Sequence, residues 1–548
     1  QKDAKCLAHR LTSNEITLQD IGVKEVSYNL TVEETNETSE WYIVQKLGQD
    51  TSSGLSREVS KQHNKNLQRL LPRGGVAFLL QSTLKRKREG RYFCFLPLPK
   101  PTHFSVHVNG HFALDHESRR GLWCDGPNSP KDSPRTMWNK YLLASIIAPA
   151  YATLILEMKH KLFQNVKDMD ETLTHYFSLF PTEQTDDGYS CALAQDLYKY
   201  IESHGLAVLP VVHTYDNKTN VEWMPVHDAE HQGFFDDLNG TFKEMDNSSR
   251  QKATTSLRTI LLRSGLKLFA APLAVRKAFE KAGVTTLTLN PDHVMKHYQR
   301  KPHAVGTLPS PLADTAFGTV DNLVQVIQYC KNSEQFPQLI NGTPFLLLEN
   351  EILQPVNNPG DFFLTKFYEL LPTCRSLFLH HALHDLFEKV KKVFREFSIS
   401  ELSSLLNQLF PKQTFFGEEN QVGIQQFPKM IRAEEWLPHL WEFLDFRIKE
   451  AIAKKHRDLP ISEIIEEIKP LWKWCLLPTL IEGKVVLLPI CQANTVVDIT
   501  YGSHMFEKQF RILRKLKLPT PYYTFVGGAG SHVSRQLIGN IERPDSIL

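Results

Sequence analysis

The residues best suited to chemistry are gathered in one short stretch, Leu96–Trp123, which reads LPLPKPTHFSVHVNGHFALDHESRRGLW. It holds four histidines, three prolines and the arginine pair Arg119 and Arg120. Histidine is the side chain that exchanges a proton most readily near neutral pH, and arginine binds anions through two parallel hydrogen bonds. The stretch is therefore either an active site or a rigid structural element, and the elements that position these residues decide between the two.

The pattern within the stretch predicts a β-hairpin that turns at Asn109 and Gly110. Asn-Gly is the preferred pair for a type I′ turn. Apolar residues alternate with polar ones on both sides of it, as in strands with one buried face: Phe104, Val106 and Val108 against Ser105, His107 and Asn109, then Phe112 and Leu114 against His111. The prolines upstream hold LPLPKP extended. His107, Asn109, Gly110 and Trp123 are accordingly predicted to be structural positions, and no catalytic residue is predicted.

Arg119 and Arg120 precede Trp123 and leave two interpretations open. One of them forms a cation–π anchor on the Trp123 ring, or the pair contacts an anion such as a phosphate. The pattern favours the structural anchor, and the anion contact stays open.

Other motifs with metal or nucleotide character are incomplete. HHALHD places His380 and His384 at i and i+4, but it lacks the glutamate of HExxH and a third ligand, so a surface histidine group without metal is favoured. The glycine-rich segment Tyr522–Arg535 lacks the third glycine of GxGxxG and the lysine of a P-loop. The sequence thus predicts a non-enzymatic chain that binds no cofactor of its own.

The composition excludes several classes of function. A net charge of +2, from 63 basic and 61 acidic residues, gives no electrostatic basis for nucleic-acid binding. The eight cysteines are scattered without paired spacing, which favours a reduced, cytoplasmic location. Tyr141–Met158 is uncharged up to Glu157, but it is short for a membrane span and is interrupted by Pro149. It is predicted to be a buried, kinked core helix.

The alternation of strand and helix patterns predicts a mixed α/β, multidomain chain with four parts. Residues 1–165 read as a sheet followed by a helix, 166–300 as an α/β unit, 301–425 as a hairpin and helices, and 426–548 as an aromatic-rich helix followed by a strand. The last two parts are possibly related, because P-x-L-I-x-G and an apolar run recur in Phe336–Leu348 and Leu477–Pro489.

One block is specific enough to indicate a family. FCFLPLPKPTHFSVHVNGHFALDHESRRGLW, followed by WNKYLLASIIAPAYATLI, closely resembles the internal repeating region of the sacsin family of large modular co-chaperones. The resemblance implies a segment downstream of an Hsp90-like ATPase module, with units like the Hsp90 middle domain and ribosomal S5 domain 2 in tandem. By the same analogy, Arg119 or Arg120 reaches toward ATP bound by a preceding domain.

The family also implies a function. The expected role is a non-catalytic scaffold that binds unfolded or filament-forming client proteins and acts with Hsp70 in protein quality control. Hsp70 and the proteasome would be engaged through other parts of the parent protein, and ATP only through a neighbouring module. The alternatives are part of an Hsp90-like ATPase completed by Arg119 or Arg120, and a purely structural repeat.

Overall fold

The computed structural model describes residues 10, 23–34, 37–48, 59, 70–82, 89–115, 121–125, 132–164, 166–182, 188–215, 218–226, 232–235, 256–455, 461–482, 484–495 and 520–521. The chain divides into two compact units, residues 1–294 and 295–548, and the described residues of each contain a hydrophobic core. The mixture of helices with several sheets confirms the α/β fold class. The four-part division and the Hsp90-like character of the parts stay predictions.

Unit 1 begins with a six-stranded sheet. Its strands are β1 (Lys24–Glu34), β2 (Glu37–Leu47), β3 (Arg73–Ser82), β4 (Arg91–Cys94), β5 (Leu96–Pro101) and β6 (Val106–Gly110). The order across the sheet is β1-β2-β3-β6-β4-β5, and neighbours are antiparallel except for β4 and β6, which are parallel. The alternating or apolar runs EVSYNLTVEE, EWYIVQKL and GVAFLLQST predict strands, and β1, β2 and β3 confirm them. RYFCFLPL, which the same pattern predicts as one strand, instead turns back at Phe95, whose φ is 63°, and forms the antiparallel pair β4 and β5.

A long buried helical rod packs against one face of this sheet. Helix α1 (Pro134–Leu142) continues through a π-helical turn, Leu143–Ile147, into α2 (Ala148–Leu162). The π turn arises beside Pro149, which has no N–H to donate, and the Ala148 N–H donates to Leu143 O five residues back. Within the described residues this rod is the one helix long and apolar enough to cross a bilayer, but 72% of its apolar window is buried inside the protein. The prediction of a core helix is confirmed.

The predicted hairpin turn at Asn109-Gly110 is wrong. Asn109 and Gly110 are the last residues of β6, and they pair with Gly75 and Gly74 of β3. The chain stays extended there because β6 is inserted between β3 and β4, so its pairing partners come from remote parts of the sequence. Alternation does hold, since Phe104, Val106 and Val108 are all buried.

The second half of unit 1 alternates helix and strand, as predicted. It contains α3 (Met169–Phe177), α4 (Gly188–Ser203), the hairpin of β7 (Leu209–Tyr215) and β8 (Lys218–Met224), β9 (Gln232–Phe235), α5 (256–263), β10 (Lys267–Leu268), α6 (Leu273–Lys281) and β11 (Thr288–Leu289). Strands β10 and β11 flank β9 in parallel. The pattern ALAQDLYKYIESHG predicts a helix stopped by Gly205. Helix α4 ends at Ser203, and Gly205 follows it with a φ of 57° that suits a C-terminal stop, while the Leu206 N–H donates to Ile201 O.

Helix α7 (Pro291–Arg300) leads into unit 2, whose first half contains the predicted helix and hairpin. The helix is α8 (Val320–Cys330), and the hairpin is β13 (Leu346–Leu347) with β14 (Ile352–Gln354). The remaining elements are β12 (Ser310–Pro311), which pairs with β14, and the short helix α9 (Phe336–Leu339).

The second half of unit 2 contains helices and a four-stranded antiparallel sheet. Its elements are α10 (His384–Phe387), α11 (Ile399–Leu405), α12 (Lys412–Phe415), β15 (Val422–Gly423), α13 (Ala433–Lys455), α14 (Ile461–Ile468), β16 (Cys475–Ile481), β17 (Lys484–Pro489) and β18 (Thr520–Pro521). SISE, Ser398–Glu401, has the sequence pattern of a capping box, and before α11 this box is half formed. The Ser398 hydroxyl accepts from the Glu401 N–H at 3.2 Å, whereas the Glu401 carboxylate turns outward to Arg395.

The two segments that share P-x-L-I-x-G differ in structure. In the first, Phe336–Leu339 is the helix α9, and in the second, the corresponding letters lie in strand β16. The shared sequence motif therefore does not correspond to the same secondary structure in the two segments. The basic helix predicted at 505–518 lies outside the described residues.

Candidate functional site

Two of the described histidines in the Leu96–Trp123 stretch, His107 and His111, bind backbone N–H groups, whereas His103 lies 3.1 Å from the Glu89 carboxylate. Nδ1 of His107 accepts from the Arg91 N–H at 2.9 Å, and its ring stacks on Trp41 with centroids 4.8 Å apart. Nδ1 of His111 accepts from the Leu71 N–H at 2.9 Å. Burial lowers the pKa of His111, and a nearby arginine charge adds to the effect. One nitrogen of each ring is therefore engaged by the backbone of a neighbouring segment.

Trp123 lies in a dense network at the end of the stretch. Its indole N–H lies 3.1 Å from Asp125 Oδ1 and 3.0 Å from Ser133 Oγ, and both oxygens accept from it. The cation over its ring is the guanidinium of Arg135, at 5.0 Å from the centroid. A hydrogen bond from the Ser133 N–H lowers the pKa of Asp125 to about 2, so this carboxylate is charged at neutral pH. Arg119 and Arg120 lie outside the described residues, and their proposed nucleotide contact stays a prediction.

Asn139 of α1 joins this network to the segment that follows β6, and it was not found by sequence analysis. Its Nδ2 donates to Ala113 O at 2.9 Å and to Trp123 O at 3.1 Å, while its Oδ1 accepts from the Ala113 N–H at 2.8 Å. The side chain is fully buried. The available signal was an asparagine between the aromatic residues Trp138 and Tyr141, because a carboxamide buried beside them needs hydrogen-bond partners.

The outer strand β1 exposes apolar side chains on one face. Glu25 faces α2, since the Thr153 hydroxyl donates to its carboxylate at 3.3 Å. Alternation then turns Val26, Tyr28 and Leu30 away from α2. These three side chains are 55%, 39% and 43% exposed, and they form a row at one border of the sheet.

The outer backbone edge of β1 has no second strand paired with it within the part of the chain that the structure describes. There β1 pairs only with β2, and it contains no proline. Its central residues 26–32, VSYNLTV, carry no charge, while Lys24, Glu25, Glu33 and Glu34 lie at the ends. Proteins usually protect such an edge with prolines or inward charges, because its free N–H and C=O groups bind other strands.

The opposite edge of the same sheet is protected. Strand β5 contains Pro97, Pro99 and Pro101, which have no N–H to offer to a further strand. Leu96 at its start is 74% exposed, and so β5 combines exposed apolar surface with an obstructed backbone. The sheet thus has one edge suited to strand addition and one that is not.

Unit 1 also contains a cavity of about 620 Å³ between α3, the β7–β8 hairpin and α5. Its wall is largely aliphatic, and Arg258 and Arg263 of α5 contribute to it. His213 is another lining residue, and its Nε2 lies 3.3 Å from Glu222 Oε2. A hydrogen bond from Lys267 lowers the pKa of Glu222, so that this carboxylate stays charged. A mainly apolar wall with a few charged side chains is typical of pockets that bind small molecules.

Comparison with known proteins finds a relative over nearly the whole chain. The chain is similar to human sacsin, with 26% identity over an alignment of 605 residues that covers 97% of this chain and 12% of that protein. The chain therefore spans a small part of the length of the relative that it matches. No family model and no solved structure matches it.

Proposed function

Since the chain is related to sacsin over nearly its whole length, as the Leu96–Trp123 stretch predicted, we propose that it is a non-catalytic, client-binding scaffold of a sacsin-type co-chaperone. Its clients would be unfolded or filament-forming proteins in the cytoplasm. The chain would act with Hsp70 and the proteasome through other parts of the parent protein, and it would use ATP only through a neighbouring module.

The observation that carries this proposal is the edge of β1. An unfolded client exposes extended apolar segments whose backbone groups are unpaired. The free edge of β1 would pair with such a segment, and the row of Val26, Tyr28 and Leu30 would cover its apolar side chains. Binding of this kind depends on backbone hydrogen bonds and apolar contact, so it tolerates many client sequences.

The experiment measures how the purified chain slows aggregation of a chemically unfolded client in the absence of ATP. We expect slowing at stoichiometric excess, and weaker slowing by Leu30→Lys. Loss of one buried leucine contact costs roughly 1.5 kcal/mol or more, which corresponds to about a tenfold loss of affinity.

Leu96→Lys is the matched control, because it places the same charge on the same sheet at the proline-protected edge. It should slow aggregation as the unchanged chain does. Equal effects of the two variants would place client binding elsewhere. No slowing at any excess would favour the purely structural repeat.

A further inference from the structure

We propose that Glu349, His380 and His381 form a binding site for a divalent transition metal of the Zn²⁺ type. One ligand atom from each of these residues lies within 4.8 Å of the other two. Two imidazoles with one carboxylate are a donor set that binds zinc in proteins and leaves a fourth position for water or another ligand. Glu349 is the third ligand, which the sequence motif around His380 does not contain.

Backbone pairing between remote segments brings the three residues together. The His380 N–H donates to Leu347 O at 2.9 Å, and the Glu349 N–H donates to Phe378 O at 3.0 Å. The turn that follows β13 is thereby fixed against the segment that leads into the 3₁₀ turn His381–Leu383. The position of Glu349 relative to the histidines is set by these backbone bonds and does not depend on a flexible loop.

The i, i+4 pair of the sequence pattern is not the one that forms the cluster. His384 begins α10, and its Nε2 lies at 3.0 Å from Leu379 O. His381 is adjacent to His380 in sequence, and their rings stack with centroids 4.3 Å apart. Two neighbouring imidazoles on a turn can thus face one carboxylate, which helical spacing does not reveal.

The burial of the cluster favours a cation. The Glu349 side chain is 6% exposed and His380 is 9% exposed, whereas the His381 side chain is 55% exposed. Glu349 Oε1 accepts from the His381 N–H at 2.7 Å and lies 3.1 Å from its Nδ1. A buried carboxylate is costly unless a full positive charge compensates it, and an imidazole supplies one only when protonated. A metal ion would supply that charge at the side open to solvent.

The present contacts define what metal binding must change. Nδ1 of His380 accepts from the Ala382 N–H at 3.2 Å, and His381 Nδ1 lies 3.1 Å from Glu349 Oε1. Donor atoms around a tetrahedral zinc, with bonds of roughly 2.0–2.1 Å, lie closer together than the three ligand atoms do here. The exposed His381 ring would therefore move inward, and the metal would replace the direct contact between His381 Nδ1 and Glu349.

The test is a titration of the full, metal-free chain with Co²⁺, whose visible absorption reports tetrahedral coordination, followed by displacement with Zn²⁺. We expect one ion bound per chain, and affinity reduced roughly tenfold or more in Glu349→Gln and in His381→Gln. His384→Gln is the matched control, because His384 is adjacent in space but contacts Leu379 O instead of the cluster. It should bind as the unchanged chain does.

A purely structural role for Glu349 as a cap on the His381 N–H makes a different prediction. Unfolding temperatures measured in a chelator would then fall in Glu349→Gln, yet added Zn²⁺ would raise the unfolding temperature of no variant. Absence of Co²⁺ binding, or binding unchanged in Glu349→Gln because other histidines or cysteines hold the ion, would overturn the proposal.

Discussion

At the scale of single residues, Asn139 makes more hydrogen bonds to the backbone of the Leu96–Trp123 stretch and its neighbours than His107 or His111 does. Asn139→Ala would leave the N–H of Ala113 without its buried partner, whereas the C=O of Ala113 would keep the Trp123 N–H as a donor. We expect the free energy of unfolding of unit 1 to fall by about 1–3 kcal/mol, the cost of one orphaned buried group. Urea unfolding gives the size of the loss, and amide hydrogen exchange at Ala113 gives its location.

The adjacent Lys140 provides the control for this substitution. Its ammonium group pairs with Asp132 at 2.6 Å on the surface, with both side chains more than two-fifths exposed. Lys140→Ala should therefore change the free energy of unfolding by less than about 1 kcal/mol. Equal losses in the two variants would show that the buried carboxamide has no special role.

At the scale of secondary-structure elements, the end of β6 gives a prediction about packing. A Cβ atom at Gly110 would meet the Phe112 ring at 2.8 Å, and that ring is buried against Tyr92. We expect Gly110→Ala to destabilise unit 1 by about 1–3 kcal/mol through overpacking. Gly121→Ala is the control, since a Cβ atom added there would have nothing within 4 Å. A loss in Gly121→Ala as large as that in Gly110→Ala would contradict this account.

Strand β6 shows which features can be predicted from local sequence. The alternation of Phe104, Val106 and Val108 was predictable, because it reflects the two faces of the strand itself. The Asn109-Gly110 turn was predicted wrongly, because the partners of β6 are strands whose place in the sheet depends on tertiary pairing. Glu349 was missed for the same reason, since it is brought to His380 by backbone bonds between distant segments. Sequence analysis therefore recovered most elements and the relation to sacsin. It did not recover the contacts between remote segments, such as those that bring Glu349 to His380.

At the scale of the whole molecule, the two compact units predict two separable unfolding events. The core of unit 1 includes residues from Tyr42 to Val284, and a second core in unit 2 runs from Phe363 to Ala493. Leu402→Ala removes a fully buried side chain from the second core, and comparable losses cost about 2–5 kcal/mol. We expect it to lower the urea midpoint of one transition and Asn139→Ala to lower the midpoint of the other.

The two transitions can be assigned by hydrogen exchange measured on segments from each unit. If each substitution increases exchange only in its own unit, the units are independent in stability, and a client bound at β1 would stabilise unit 1 alone. If both substitutions shift one common transition, the chain unfolds as a single cooperative body. In that case binding at β1 would stabilise unit 2 as well, because a ligand stabilises everything that unfolds together with its site.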